Sequence, residues 1–376
     1  MDFLIQNGLV YDPGEHSMQR RSLALAAGKI ARPDAAAAYG QTVDASGCIV
    51  TPGLIDYHVH FFGCECGVVP ESNTFCCGIT TAVDGGSAGA SLYPLFRSTR
   101  LIVSHVRILA QLLVASGGQM TFRYPENLDP VCFDEAKIVE LFRQYPDELV
   151  GLKTRISRGI IPNEGLAEAS LRRTVEIAEK AGTRVIVHVT DCTIPLDRLA
   201  GILRPGDVIC HIYHGKGENT CLKPDGRIWE GLWAARERGV IFDACNGRNN
   251  YDLAVCRSAM AQGFVPQIIS SDVSFPNSFV HPLHSLPRIM SKYLDFGMAL
   301  EDILDCATIT PARLIGRAEL GSLADGTTAD VTVWKLKNKA VRHRDVNGHS
   351  FEGTQVLVPQ MVFKDGACVY CQADFT

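Results

Sequence analysis

Apolar runs of strand length recur along the central part of this chain, and segments with helical spacing of apolar residues lie between them. We predict strands at Ile49–His60, Gly78–Asp84, Ile102–Leu113, Val150–Ile156, Thr183–Val189, Asp207–Tyr213, Gly239–Ala244 and Pro266–Asp272. The predicted helices are clearest at Asp134–Tyr145, Gly165–Ala181, Ile194–Leu203, Trp229–Arg238 and Asp252–Gln262. Eight strands alternating with helices over about 260 residues are typical of an α/β fold, the (β/α)8 TIM-like barrel. A doubly wound sheet is the alternative, but eight units favour closure.

Short strand-like segments separated by turn residues occupy both ends of the chain, for example Gly8–Tyr11 after the turn Asn7-Gly8 and Ala329–Lys335 near the other end. Such small β-pieces are not stable alone, so we predict that they associate into one small β-sandwich domain. The expected division is 1–51 for the first part of this β-domain, 52–318 for the barrel and 319–376 for the second part.

Composition and charge narrow the functional classes. With 46% hydrophobic and 20% charged residues over 376 positions, the chain reads as an ordinary globular protein. The net charge of -5, without a long basic run, gives no reason to expect nucleic acid or a membrane as partner. The N-terminus lacks the pattern of a signal peptide, and the 14 cysteines lack disulfide or zinc-ribbon spacing, so we predict a cytoplasmic protein.

Ligand-type residues end five of the eight predicted strands, where the working residues of such barrels gather. His58 and His60 are two positions apart on the first strand, so both side chains are expected to point to the same side. The other such residues are Lys153, His188, His211 and Asp272. Taken singly, each has a structural interpretation: a hydrogen-bonded histidine, a surface lysine, a capping aspartate. Their joint placement favours a metal site.

The stretch Pro52-Gly-Leu-Ile-Asp-Tyr-His-Val-His60 resembles the first-strand motif of the amidohydrolase superfamily. Residues Ala307–Gly316 and Gly321–Val331 resemble the return of that superfamily's chain into its β-sandwich. Three further segments are similar to the amidohydrolase/deacetylase group related to dihydroorotase: Gly151–Ser157, Gly206–His211 and Leu286–Leu294. The resemblance runs over nearly the whole chain, to about Phe363.

This resemblance implies a site with two divalent metal ions, expected to be zinc. His58, His60 and Asp272 would hold the more buried ion, and His188 and His211 the other. Lys153, carboxylated by carbon dioxide, would bridge both ions, since a free ammonium has no lone pair and repels cations. Asp272 would also be catalytic, because it could take a proton from the attacking hydroxide and pass it to the leaving group.

Several further residues are candidates for contact with substrate or metal. Arg155 shares a strand face with Lys153 and would hold a substrate carboxylate, or else form a structural salt bridge. His214, beside Gly215, is the less favoured alternative to His211 as the ligand from the sixth strand, and we expect it to face the substrate opening or to lie behind the metal ligands. Cys64 and Cys66 follow His60 closely and are weak ligand candidates, while His281 and His284 stay unassigned.

One segment departs from the family pattern. Related sequences tend to read Asp-x-Gly-His-Gly after the seventh strand, whereas this chain reads Asp243-Ala-Cys-Asn-Gly247. Asn246 therefore replaces an expected histidine on a loop that faces the site, where we predict that it contacts substrate. This difference leaves the identity of the substrate open.

The sequence therefore predicts a binuclear hydrolase that cleaves an amide or ester bond in a small carboxylate-bearing substrate, such as an N-acyl amino acid or an acetylated hydroxy acid. A cyclic amidohydrolase, dihydroorotase- or hydantoinase-like, is the first alternative. A non-catalytic scaffold of the same fold would be expected to lack ligands, and a deaminase with one metal would lack the bridging lysine. Whether the chain forms a homo-oligomer is left open.

Overall fold

The strands of the protein form two sheets. The structure is a computed structural model that describes residues 2–34, 36–63, 67–121, 123–278 and 285–375. Its strands, in chain order, are β1 (Phe3–Asp12), β2 (Ser17–Ala26), β3 (Lys29–Ala31), β4 (Gln41–Asp44), β5 (Ile49–Pro52), β6 (Leu54–Val59), β7 (Ile79–Asp84), β8 (Arg107–Leu113), β9 (Leu149–Arg155), β10 (Val185–His188), β11 (Val208–Cys210), β12 (Ile241–Asp243), β13 (Val331–Arg344), β14 (Ser350–Lys364) and β15 (Ala367–Cys371).

The helices lie mainly between the central strands. They are α1 (Pro70–Thr74), α2 (Tyr93–Phe96), α3 (Glu135–Gln144), α4 (Glu164–Lys180), α5 (Leu196–Ile202), α6 (Glu230–Arg238), α7 (Leu253–Ala261), α8 (Phe275–Ser278), α9 (Leu286–Asp295), α10 (Leu300–Ala307) and α11 (Ile309–Leu314). The five helices predicted from the sequence correspond to α3–α7, within two residues at each end. No helix in the described ranges is long and apolar enough to cross a membrane.

The central sheet is parallel and runs in chain order from β6 to β12. The predicted eighth strand is present as an irregular segment that pairs through isolated parallel bridges, Asp243 with Ile268 on one side and Val59 with Val273 on the other. Because this segment pairs with both edges of the sheet, it closes the barrel. The predicted (β/α)8 TIM-like barrel is thereby confirmed.

The stretch Ile49–His60, predicted as one strand, is divided between two sheets. β5 pairs with β1 and β13 in the terminal sheet, whereas β6 pairs with β7 in the barrel. Gly53 separates them, and its N–H donates to the carbonyl oxygen of Asp330 at 2.9 Å. The chain therefore passes from one sheet to the other without an intervening loop.

The strands of both termini share one eight-stranded sheet, as expected, in which β13 and β14 form a long antiparallel hairpin. Asn7-Gly8, predicted as a turn, instead lies inside β1. Asn7 has a φ of 63° there, and the pairing with β2 shifts register between Ile5 and Gly8, as in a β-bulge. The domain boundaries given above remain a prediction.

An apolar layer fills the barrel below the carboxyl ends of its strands. It is built from inward-facing side chains of successive strands, such as Ile55, Val83, Ile186 and Val208, all less than 1% exposed. Each such side chain contributes about 1.5–3 kcal/mol on burial. Cys210 and Cys245 belong to the same layer, directly under the polar groups that end the strands.

Candidate metal centre

The six predicted metal ligands come together at the carboxyl end of the barrel, and none is more than 8% exposed. His58 lies in β6 and His60 directly follows it, Lys153 lies in β9, and His188 ends β10. His211 directly follows β11, and Asp272 lies in the closing segment between the two bridges. A cavity of about 680 Å³ opens above them, and five of the six, all but His211, line it.

The distances between the side chains show how tightly they converge. Asp272 Oδ1 lies 3.3 Å from His60 Nε2 and 3.7 Å from His58 Nε2. The rings of His188 and His211 have centroids 4.4 Å apart, and those of His58 and His211 are 5.2 Å apart. Nitrogen and oxygen donors at this spacing are the donor set that divalent transition metals prefer.

The orientation of His60 is set by two residues that follow β7. The Ser87 hydroxyl donates to the Asp84 carboxylate at 2.9 Å, so its oxygen accepts from His60 Nδ1 at 2.8 Å. Nδ1 then holds a proton, and Nε2 faces Asp272 Oδ1 at 3.3 Å. Without metal, a second proton on Nε2 makes this contact a hydrogen bond to the carboxylate, and a metal ion that displaces this proton fits the same position.

The orientation of His211 is set in the same sense by a different group. Its Nδ1 lies 2.7 Å from the backbone carbonyl oxygen of Cys245, which can only accept a hydrogen bond. Nδ1 is therefore the donor, and Nε2 is left to face the site. A histidine fixed through its far nitrogen is the usual arrangement of a metal ligand.

Lys153 is 1% exposed and has no carboxylate within ion-pair distance among the described residues. Its Nζ lies 3.1 Å from Cys210 Sγ and 3.5 Å from His58 Nδ1. A buried ammonium without a counter-ion is costly, and one that faces histidines disfavours metal binding. Conversion of Lys153 into an anionic carbamate would remove both problems, so this environment fits the bridging role.

Two glycines after β7 allow Lys153 and His58 to occupy their positions. A Cβ at Gly85 would lie 2.3 Å from His58 Cδ2, and a Cβ at Gly86 would lie 2.7 Å from Lys153 Cγ. Gly86 also has a φ of +91°, which side-chain-bearing residues rarely adopt. The glycine pair was not recognised in the sequence, although it directly follows Asp84 at a strand end.

Burial keeps most of the histidines in the form that binds metal. Burial, and then the charge of Lys153, lowers the pKa of His58 to about 3. Burial, and then the charge of His211, lowers the pKa of His188 well below its usual value. Burial also lowers the pKa of His211, but the charge and hydrogen bond of Cys210 raise it to a greater extent. His211 therefore holds its proton more readily than the other two histidines, and a metal ion would have to displace that proton.

Asp272 is held as a carboxylate and in a strained backbone conformation. Burial raises its pKa, but the hydrogen bond from His60 and the charges of His211 and His58 lower it further, so the net pKa lies below the ordinary value. Its φ is 53°, and His211 and Cys245 also have positive φ, at 67° and 34°. Such conformations cost about 1–3 kcal/mol each and cluster at functional sites.

Arg155 lines the cavity, as the shared face with Lys153 predicted. Its guanidinium forms an ion pair with Glu126 and a hydrogen bond of 3.3 Å to Gln119 Oε1. Both sequence-based alternatives, the salt bridge and the position at the substrate cavity, are therefore present together. Whether Arg155 contacts substrate remains a prediction.

His214 and Asn246, the other predicted substrate contacts, are buried and are not among the described residues that line the cavity. His214 Nδ1 accepts the N–H of Lys216 at 3.3 Å, and its Nε2 is buried without a hydrogen-bond partner. The Asn246 side chain points to Lys292, whose Nζ donates to its Oδ1. Both roles remain predictions.

The cavity wall includes polar residues that sequence reasoning did not single out. Asn250 Nδ2 donates to Asp272 Oδ2 at 2.7 Å, and Asn277 Nδ2 donates to the Asp272 carbonyl oxygen at 3.1 Å. Lys216, five residues after His211, adds a second cation at the wall. Their signal was their place directly after strand ends. Cys64, Cys66, His281 and His284 lie outside the described residues.

Comparison with known proteins adds two kinds of relative. The profile of the Amidohydrolase family matches residues 234–369. A deacetylase of Agrobacterium fabrum is 32% identical over 315 residues, covering 82% of this chain and 75% of that protein. A dihydroorotase of Geotalea daltonii is 40% identical over an alignment of 385 positions, covering 89% of each chain.

Solved structures give the same picture of the fold. The crystal structure of a dihydroorotase superposes with a TM-score of 0.88 at 28% identity, covering 99% of this chain and 98% of that one. The crystal structure of an adenine deaminase gives a TM-score of 0.89 at 24% identity, covering 99% of this chain and all of the other. The second likeness, at this identity, shows the fold alone.

Proposed function

We propose that this chain, which belongs to the amidohydrolase family, is a binuclear metal-dependent deacylase of small carboxylate-bearing substrates. Family membership and the deacetylase and dihydroorotase relatives already indicate a hydrolase that acts on carbon–nitrogen bonds. The observation that carries the finer proposal is the convergence of four histidines, Lys153 and Asp272 under one cavity.

In this proposal His58, His60 and Asp272 would hold one divalent ion, His188 and His211 would hold the other, and carboxylated Lys153 would be a ligand shared by both. The ions, which we propose to be zinc, would polarise the substrate carbonyl and lower the pKa of a water molecule. Ser87 and the Cys245 carbonyl keep the Nε2 atoms of His60 and His211 directed at the site. This assignment of residues to the two ions is the one that the family resemblance implies.

Asp272 is the proposed general acid and base. Asn250 binds its Oδ2, so that Oδ1 is directed at His58 and His60 and into the cavity. The pKa of Asp272 lies below its usual value, so at neutral pH this carboxylate can accept a proton when the nucleophile attacks. It can then donate that proton to the leaving amine or alkoxide.

The charge of the cavity wall supports a substrate that carries a carboxylate. Arg155 and Lys216 line the cavity together with amide and hydroxyl side chains and one further carboxylate, that of Asp191, which lies 3.8 Å from Arg158. One cation, Arg155, is neutralised by Glu126, which leaves Lys216 as the second candidate for a substrate carboxylate. N-acyl amino acids and acetylated hydroxy acids fit these requirements, and the relative named a deacetylase supports removal of an acetyl group.

Cyclic amide hydrolysis is the second candidate function. The similarity to dihydroorotases in sequence and in structure favours it. The two candidates separate in a panel of N-acetyl amino acids, acetylated hydroxy acids, dihydroorotate and hydantoins, assayed with zinc-loaded protein. If only the open-chain substrates are turned over, with release of acetate, the deacylase proposal is supported. If only the cyclic amides are opened, cyclic amide hydrolysis replaces it. Ammonia release would point to a deaminase instead.

Metal content and activity of Lys153→Ala test the binuclear centre. We expect wild-type protein prepared without chelator to contain two ions per chain, and Lys153→Ala to lose metal together with at least about 10³-fold in kcat/KM. Lys137→Ala, an exposed lysine of α3 that pairs with Glu140, is the matched control and should behave as wild type. Full metal content and activity in Lys153→Ala would refute the bridging role. Wild-type protein without any ion would indicate a non-catalytic scaffold.

A cytoplasmic location is part of the same proposal. The 12 cysteines in the described part of the chain are free thiols, and several of them are exposed, as expected of a protein in a reducing compartment.

A further inference from the structure

Cys245 lies two residues after the end of β12. Its φ of 34° is in the region that favours glycine, and its side chain is fully buried in the barrel. The chain therefore keeps a side chain at a position whose backbone conformation favours glycine. That side chain is a thiol, which is a metal ligand in its ionised form.

The thiol points at the candidate metal centre. Cys245 Sγ lies 3.8 Å from His211 Nε2, the nitrogen that faces the site. One ligand atom from each of His58, His211, Cys245 and Asp272 can be chosen such that all lie within 4.8 Å of one another. Zinc–sulfur and zinc–nitrogen bonds of about 2.3 and 2.0–2.1 Å place two tetrahedral ligand atoms about 3.6 Å apart, close to the observed separation.

We propose that Cys245 is an additional ligand of the metal centre, bound as a thiolate through Sγ. This inference rests on the proposed function, because it assumes that the centre binds divalent metal. The thiol would lose its proton to solvent as metal binds. Thiolate is a soft donor, so this centre should prefer zinc over manganese or magnesium, for which oxygen ligands are better suited.

The second buried thiol of the same layer provides a matched control. Cys210 Sγ lies 3.1 Å from Lys153 Nζ and donates to the carbonyl oxygen of Val187 at 3.2 Å. It is absent from the cluster formed by Cys245 with His58, His211 and Asp272. Cys210 therefore contacts the proposed bridging residue as well as His211, and it differs from Cys245 in lying outside that cluster of ligand atoms.

Cobalt substitution tests the assignment by a spectroscopic signal, because thiolate bound to Co(II) gives a charge-transfer absorption in the near ultraviolet. The cobalt-loaded wild type should show this band, Cys245→Ser and Cys245→Gly should lose it, and Cys210→Ser should keep it. The glycine variant relieves the backbone strain, so it should fold. A wild type that holds two cobalt ions per chain without the band would overturn the inference and leave the proposed function intact.

A band that survives in both Cys245 variants, or that disappears only in Cys210→Ser, would also overturn it. Metal competition gives a second measurement. Relative to manganese, zinc affinity should fall about 10- to 100-fold in Cys245→Gly, the size typical of removing a metal-site contact. An unchanged zinc-to-manganese preference would contradict the inference. If the wild type takes up no cobalt at all, this inference and the proposed function fail together.

Discussion

His60 and His211 are oriented in the same way but by different kinds of group. The Nδ1 atom of His60 donates to the Ser87 hydroxyl, which in turn donates to the Asp84 carboxylate. The Nδ1 atom of His211 donates to a backbone carbonyl, that of Cys245. One orientation thus depends on two side chains and can be removed by a single substitution. The other depends on the path of the main chain.

The main chain at Cys245 is held in turn by buried polar groups on both sides. Asp243 accepts hydrogen bonds from the Cys245 N–H at 2.9 Å and from the Ser270 hydroxyl at 2.7 and 2.9 Å. Asn246 accepts from Lys292, whose Nζ also lies 3.4 Å from the centre of the Tyr251 ring. The loop after β12 is therefore tied to the closing segment and to α9.

The largest effect is expected at Gly86, because it packs against Lys153, the residue that would bridge the two metal ions. Gly86→Ala would place a Cβ 2.7 Å from Lys153 Cγ at a φ of +91°. We expect a loss of about 3–5 kcal/mol in the free energy of unfolding, the sum of overpacking and backbone strain, together with loss of metal. Urea unfolding and metal analysis measure both.

Gly201→Ala, in α5 with open space around the added methyl group, is the control and should be as stable as the wild type or more stable by up to about 1 kcal/mol. If Gly86→Ala retained wild-type stability and metal content, the close packing of the loop after β7 against Lys153 would not matter for the site.

The second effect concerns the loop that orients His211. Burial lowers the pKa of Lys292 from 10.5 to about 7, so the folded protein binds one proton fewer than the unfolded chain between these pH values. Stability should therefore rise with pH across that window, because the cost of burying the charge is complete below about pH 7 and disappears above about pH 10.5.

Lys292→Met removes the charge and also the hydrogen bond to Asn246. We expect this variant to gain about 2 kcal/mol relative to wild type at pH 6.5, and to be no more stable than wild type at pH 9.5, because the shifted pKa is worth about 3 kcal/mol over that interval. Urea unfolding at both pH values measures the difference, with the exposed Lys137→Met as control. A gain of equal size at both pH values would show that Lys292 is not buried as an uncharged amine.

The third effect concerns His60, whose orientation depends on the side chain of Ser87. Ser87→Ala leaves His60 Nδ1 without its partner, so the first metal ion should bind about 10- to 100-fold more weakly. Titration with a zinc chelator should show one weakened and one unchanged ion. Ser98→Ala, whose exposed hydroxyl contacts only the nearby Leu95 carbonyl in the described structure, is the control. If both ions were bound more weakly to the same extent, Ser87 would not act through His60 on the first ion alone.

The smallest effect is expected where the backbone alone orients the ring. Cys245→Gly keeps the carbonyl that accepts from His211 Nδ1, so the tautomer of His211 should not change even though the thiol is gone. Nitrogen-15 NMR of the imidazole rings distinguishes the two nitrogens, and the His60 signal should shift in Ser87→Ala. A change of tautomer at His211 in Cys245→Gly would remove the contrast between the two histidines.

The sequence by itself determined which residues end the strands of the barrel. Apolar periodicity predicted the alternation of strands and helices, and the family motif at Pro52–His60 supported the same fold, now confirmed. The positions of His58, Lys153 and Asp272 followed from these local patterns, because strand direction and alternation fix the end and the side of the sheet at which a side chain appears.

Only the tertiary structure decided which groups those side chains touch. His60 meets Ser87 at a separation of 27 residues, His211 meets Cys245 at 34, and Lys153 meets His58 at 95. Such pairs depend on the stagger and closure of the barrel, which no local pattern encodes. For the same reason the turn of Asn246 toward Lys292 was not foreseen. Periodicity fixes the direction of a side chain, and packing selects its partner.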